Sequence, residues 1–137
     1  MKTLSAIKYL LVFFLFAGMG CEETVLDPVF TIGKESTFRI NTIYPSTDHK
    51  YTVQIKEIGD SRCPQGVACL WSGELSIKGE LTADNHTSAF EIHSVAEKLN
   101  LMPEGFTIKI VDTQPYTKHG TDSKPEDLVV TLLIQKN

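Results

Sequence analysis

Leu128-Val129-Val130-Thr131-Leu132-Leu133-Ile134 runs near the end of the chain with an apolar residue at every second position: 128, 130, 132 and 134. A period of two places one set of side chains on one face of an extended strand. Val129 and Leu133 make the other face apolar as well, so this strand is expected in the centre of a sheet. The alternation recurs upstream at Tyr51-Val53-Ile55, at Leu75-Ile77 with Leu81, and at Phe106-Ile108-Ile110. Seven strands are expected in all, near 29–33, 36–43, 50–58, 73–82, 88–95, 105–113 and 126–135. Turn-forming residues separate them at Gly33-Lys34, Pro45-Ser46-Thr47-Asp48, Ala83-Asp84-Asn85-His86, Pro103-Glu104-Gly105 and His119-Gly120. Ser94-Val95-Ala96-Glu97 has the spacing of a capping box and predicts one short helical turn over 94–101. No segment carries the longer helical pattern that a parallel sheet needs. The expected fold is all-β, a single antiparallel β-sandwich, with closure toward a barrel as its variant.

The start of the chain reads differently. Lys2 and Lys8 precede the apolar run Tyr9-Leu10-Leu11-Val12-Phe13-Phe14-Leu15-Phe16-Ala17, which ends in Gly18-Met19-Gly20. A positive start, a short apolar centre and a small-residue exit make a secretory signal. The run falls well short of the roughly 20 residues that span a bilayer as a helix. Taking residues 1–20 as the signal leaves 137 − 20 = 117 residues beginning at Cys21. That length supports one core. The plan is then a signal over 1–20, a tether over 21–28 and one β domain over 29–137. The formal charge of −4 includes Lys2 and Lys8, so the remainder carries −4 − 2 = −6. An acidic domain without a Lys/Arg cluster argues against nucleic acid as its partner.

Cys21, directly after Gly20, resembles the lipobox of bacterial lipoproteins, in which the cysteine is acylated and becomes the new amino terminus. Gly18 stands where that family prefers Leu, and Gly18-Met19-Gly20 also suits ordinary signal peptidase, which would leave a free Cys21 on a soluble periplasmic protein. Lipidation is the expectation, because it gives a stable anchor from two or more acyl chains and a membrane partner through the lipid. Glu22-Glu23 are not the Asp that holds such proteins at the inner membrane, and they resemble the surface-export signal of Bacteroidota lipoproteins. The expected address is the bacterial envelope, anchored at the outer membrane on either face.

Three cysteines are an odd count for an exported chain. With Cys21 assigned to lipid, Cys63 and Cys69 remain, and an oxidising envelope favours a disulfide between them. The ring Cys63-Pro64-Gln65-Gly66-Val67-Ala68-Cys69 contains Pro and Gly, which suit a compact turn. Closing it contributes roughly 2–2.5 kcal/mol on the chain-entropy estimate. A redox-active pair is the sharper alternative, although the spacing is C-x5-C and not C-x-x-C.

Around the ring stands Asp60-Ser61-Arg62-Cys63-Pro64-Gln65-Gly66-Val67-Ala68-Cys69-Leu70-Trp71-Ser72-Gly73-Glu74. This stretch resembles a pattern, D-S-R-C-P-x4-C-x-W-x-G-E, of small uncharacterised bacterial exported proteins and lipoproteins. The resemblance extends to Thr113-Gln114-Pro115-Tyr116 and the last strand. It implies a β-sandwich-like fold and carries no activity across. Read physically, Trp71 either stacks on the disulfide and closes the core, or stands on a stapled recognition loop with Arg62, Gln65, Val67, Leu70 and Glu74. In the first reading Arg62 and Glu74 pair across neighbouring strands. In the second, a rigid loop loses little entropy on binding and Trp is the anchor.

Catalytic groups do not assemble. His49, His86, His93 and His119 are scattered, Ser61 and Ser72 lack a G-x-S-x-G setting, and no nucleophile–base pair stands out. Carboxylate pairs such as Asp60 with Glu74 or Asp122 with Glu126 are as well explained by a solvated face. Asp112, Asp122, Glu126 and Asp127 offer oxygens but no calcium loop, and no cofactor or metal is called for. The sequence therefore points to a non-catalytic envelope protein that binds or docks an envelope protein or glycan. A structural or accessory lipoprotein subunit, or a hydrolase inhibitor using the stapled loop, are the alternatives.

Overall fold

A computed structural model describes residues 28–95, 98–120 and 124–137. Residues 1–20, Cys21 with the tether through Asp27, and Asp122 lie outside the described residues. Seven strands form: β1 (Glu35–Arg39), β2 (Ile43–Pro45), β3 (Tyr51–Asp60), β4 (Leu75–Ala83), β5 (His86–His93), β6 (Phe106–Gln114) and β7 (Val129–Lys136). They make two antiparallel sheets, β1-β7-β6 and β2-β3-β4-β5, which do not close into a barrel. β7 lies in the centre of its sheet, as its two apolar faces require.

The inner faces meet in one core. Val130, Leu132 and Ile134 of β7, with Phe38, Phe106 and Ile108, face Val53, Ile55, Ile77, Leu81, Phe90 and Ile92, all of them buried. Each such side chain contributes about 1.5–3 kcal/mol through burial. Two bulges reset which residues face inward. The register of β3 against β4 shifts between Ile55 and Glu57, so Ile58 turns inward after Lys56 and Glu57. In β6 the shift falls between Ile110 and Asp112, which turns Asp112 outward and buries Thr113. An extra residue of this kind bends the strand and re-aims the side chains beyond it.

The first strands differ from expectation. Residues 29–33 form no strand, and only Phe30 pairs, in a single bridge to Ser46. The run expected over 36–43 breaks after Arg39, because Asn41 takes a positive φ of 60° and donates its N–H to the Ile55 carbonyl. At that corner, beside the β3 bulge, the chain leaves one sheet and enters the other as β2.

The helical turn expected over 94–101 does not form in the part described, which omits Ala96 and Glu97. The Ser94 hydroxyl accepts the Leu75 N–H at 2.9 Å. Lys98 N–H donates to the Val95 carbonyl, and Leu101 pairs back onto Glu91. Among the described residues the only helical turn is a 3-10 turn at Pro125–Asp127.

Candidate functional site

The β4–β5 hairpin turns through Asp84 and Asn85, both at positive φ, the conformation a two-residue type I′ turn needs. That turn fixes Ser76 opposite His93 and brings Leu75 to the mouth of the β3–β4 connection. The connection, residues 61–74, holds the whole cysteine motif. Its base continues the ladder: Ser61 N–H donates to the Glu74 carbonyl at 2.8 Å and Cys63 N–H to the Ser72 carbonyl at 2.9 Å. The Ser61 hydroxyl adds two bonds, accepting from Glu74 N–H and donating to the Glu74 carbonyl. Gly73 is required here. It sits at φ 72°, and a Cβ would overlap the Ser61 carbonyl.

Above this base Cys63 and Cys69 are joined in a disulfide, with Cα atoms 6.0 Å apart. Arg62 anchors the Cys63 side. Its Nε and Nη2 bind the two oxygens of Asp60 at 2.8 and 2.7 Å, and its guanidinium lies 4.3 Å from the centre of the Tyr116 ring. Burial pushes the Asp60 carboxyl up, but the hydrogen bonds and charge of Arg62 outweigh it and hold the group below its ordinary range. The Asp60 hydrogen bonds in turn hold Arg62 more firmly protonated. Gln65 N–H donates to the Thr117 carbonyl at 3.1 Å, and Gln65 bridges to Lys118. The loop is thereby docked on the 115–118 segment, which comes directly after the cis Gln114–Pro115 bond.

These contacts redistribute the expected surface residues. Arg62 points to Asp60 and Tyr116, so the expected Arg62–Glu74 pair does not form. Glu74 is half-buried on the other side, bound to Lys98 Nζ through Oε1, with Oε2 3.7 Å from His93 Nδ1. His93 Nε2 lies 3.5 Å from Glu91, and a cleft of about 280 Å³ opens beside His93, Asn100 and Lys109. This cluster was readable from the hairpin register, since a turn at Asp84-Asn85 sets the end of β5 beside the start of β4. Among the described residues no three His, Cys, Asp or Glu side chains are arranged to hold a metal ion.

Trp71 does not close the core: it is 63% exposed. Leu70 is fully exposed, and Val67 and Gln65 are exposed beside them. Leu99 and Leu101, also exposed, come just after Lys98, whose bond to Glu74 ties their segment to the base of the same loop. Sequence reasoning did not single out those two leucines. The site is therefore a stapled loop, fixed underneath by a charged and aromatic clamp and apolar along its Leu70-Trp71 arm. No protein-family model, curated protein or solved structure matches the chain.

Proposed function

We propose that this protein is a non-catalytic binding module of the bacterial envelope, docking a protein partner through the exposed Leu70-Trp71 pair that follows the Cys63–Cys69 ring. The exposure of Trp71 on a loop clamped from below carries the reading. An exposed tryptophan on a preorganised element costs little entropy to immobilise and supplies a large apolar contact. Neighbouring Val67 and Leu70 enlarge it into a patch, and clustered exposed apolar groups mark interaction sites. Val67 and Leu70 add aliphatic area and no groups for sugar hydroxyls, which favours a protein partner over a glycan. Full exposure of Leu70 fits insertion into a concave site, so inhibition of an envelope hydrolase is the second reading.

The anchoring half of the proposal rests on sequence. The signal-like residues 1–20 and Cys21 support an exported chain acylated at Cys21 and held at the outer membrane. Intact mass of the native protein tests it, with a chain starting at Cys21 plus acyl mass expected. A chain starting there without added mass refutes the anchor and makes the protein periplasmic.

Trp71→Ala tests the binding half. Stability is expected to change by less than about 1 kcal/mol, the surface value, whereas a core tryptophan would lose about 3–5 kcal/mol. Loss of partner capture at unchanged stability supports docking. Unchanged capture leaves an accessory structural subunit.

A further inference from the structure

We infer that the Cys63–Cys69 disulfide is a release catch for the Leu70-Trp71 arm, so that a dithiol reductant switches the loop from presented to free while the sandwich stays folded. The two arms of the ring are held very differently. On the Cys63 side the chain is fixed by Asp60 on Arg62, by Arg62 on Tyr116, by Cys63 N–H on Ser72 and by Gln65 N–H on Thr117. On the Cys69 side none of the backbone or side-chain hydrogen bonds among the described residues involves Ala68, Cys69, Leu70 or Trp71. Between the Val67 N–H bond to the Pro64 carbonyl and the Cys63 N–H bond to the Ser72 carbonyl, the S–S bond is the one polar or covalent cross-tie among the described residues that fixes residues 68–71 to the clamped arm.

Position makes the bond both reachable and dispensable to the core. Cys69 is exposed, and the cluster of buried apolar residues contains nothing between Ile58 and Leu75. A thiolate of the dithiol attacks Cys69 Sγ, the S–S bond breaks, and Cys63 leaves as a thiolate that takes up a proton. The second thiolate of the reductant then attacks its own mixed-disulfide sulfur and releases Cys69, which is protonated in turn. Two electrons pass to the cysteine pair, and the dithiol ends as a disulfide. With the catch open, residues 68–71 are held at their two ends, by the Val67–Pro64 bond and by Ser72 at the base, and the Trp71 side chain gains freedom between them. The consequence for binding rests on the proposed docking role; the release of the loop does not.

Trp71 is the single tryptophan of the chain, so its fluorescence reads the loop without any partner. The experiment treats the purified full chain with dithiothreitol and follows Trp71 anisotropy, thiol count and the cooperativity of thermal unfolding. Two additional thiols, a fall in anisotropy and a retained cooperative transition are expected, and Cys63→Ser with Cys69→Ser should show the same low anisotropy without reductant. Unchanged anisotropy after two thiols appear, a disulfide that resists the folded-state reduction, or collapse of the whole fold would each overturn the inference. Partner capture by the oxidised chain is scored separately: its absence refutes docking and leaves the anisotropy result standing, while capture equal in both redox states refutes the switch alone.

Discussion

Replacing Arg62 by alanine strips Asp60 of both its side-chain donors and removes the cation from the face of Tyr116. Asp60 keeps one bond, from Arg62 N–H at 3.1 Å. The side chains of Asp60 and Arg62 are 5% and 15% exposed. That places the pair between an open surface bridge, worth about 0–1 kcal/mol, and a buried one whose disruption costs about 3–5 kcal/mol. Adding about 0.5–1 kcal/mol for the stacked guanidinium gives an expected loss of about 2–3 kcal/mol for Arg62→Ala. Arg62→Lys keeps the charge but neither the two-pronged geometry nor the flat stack, and should lose about half as much. Urea denaturation of the oxidised protein measures both, with the slope unchanged. A double-mutant cycle with Tyr116→Ala should show coupling of about 0.5–1 kcal/mol. A loss below about 0.5 kcal/mol for Arg62→Ala would refute the clamp, since a pair so little exposed cannot be severed at a surface cost.

The same pair sets a pH dependence. Asp60 is held below its ordinary value, so its contribution is present above about pH 4 and lost as pH falls through the folded value. The stability difference between the native chain and Arg62→Ala, tracked by urea midpoint from about pH 7 to about pH 2, should therefore shrink below about pH 4; a constant difference would contradict the assignment. Gly79 faces Phe90 across β4 and β5, and a Cβ there would meet the Phe90 ring at 2.5 Å, so Gly79→Ala should cost about 1–3 kcal/mol in the same assay. Asn85→Ala places a residue with no left-handed preference at φ 63° and should lower stability by about 1 kcal/mol, with Asn85→Gly neutral or better.

Sequence alone carried the architecture further than the site. Period-two patterns located β3, β4, β6 and β7, the two apolar faces of β7 gave its central place, and the Asp84-Asn85 dipeptide fixed a hairpin. Cysteine counting paired Cys63 with Cys69. The features that escaped were set by tertiary context. β2 is three residues ending in Pro45 on a sheet edge, too short for periodicity to show. The Ser94 hydroxyl accepts the Leu75 N–H, a contact across nineteen residues that no local pattern shows. The bulges in β3 and β6 reset which positions face inward.

The site shows the same limit more sharply. Arg62 and Glu74 are close in the chain and of opposite charge, so pairing them was the local reading. Arg62 instead reaches Tyr116, brought there by the antiparallel pairing of β6 with β7, and Glu74 reaches His93 and Lys98 through the β4–β5 hairpin. With Arg62 turned inward as a clamp, Leu70 and Trp71 are left as the exposed part of the motif.

Site-specific photo-crosslinking from position 67 in intact cells tests the proposed docking role of the stapled loop most directly, with position 56 on the outer face of β3 as the control. A discrete protein adduct from position 67 is expected, absent in Trp71→Ala at unchanged stability, with none from position 56. An adduct that survives Trp71→Ala, or one that forms equally from position 56, would contradict that role.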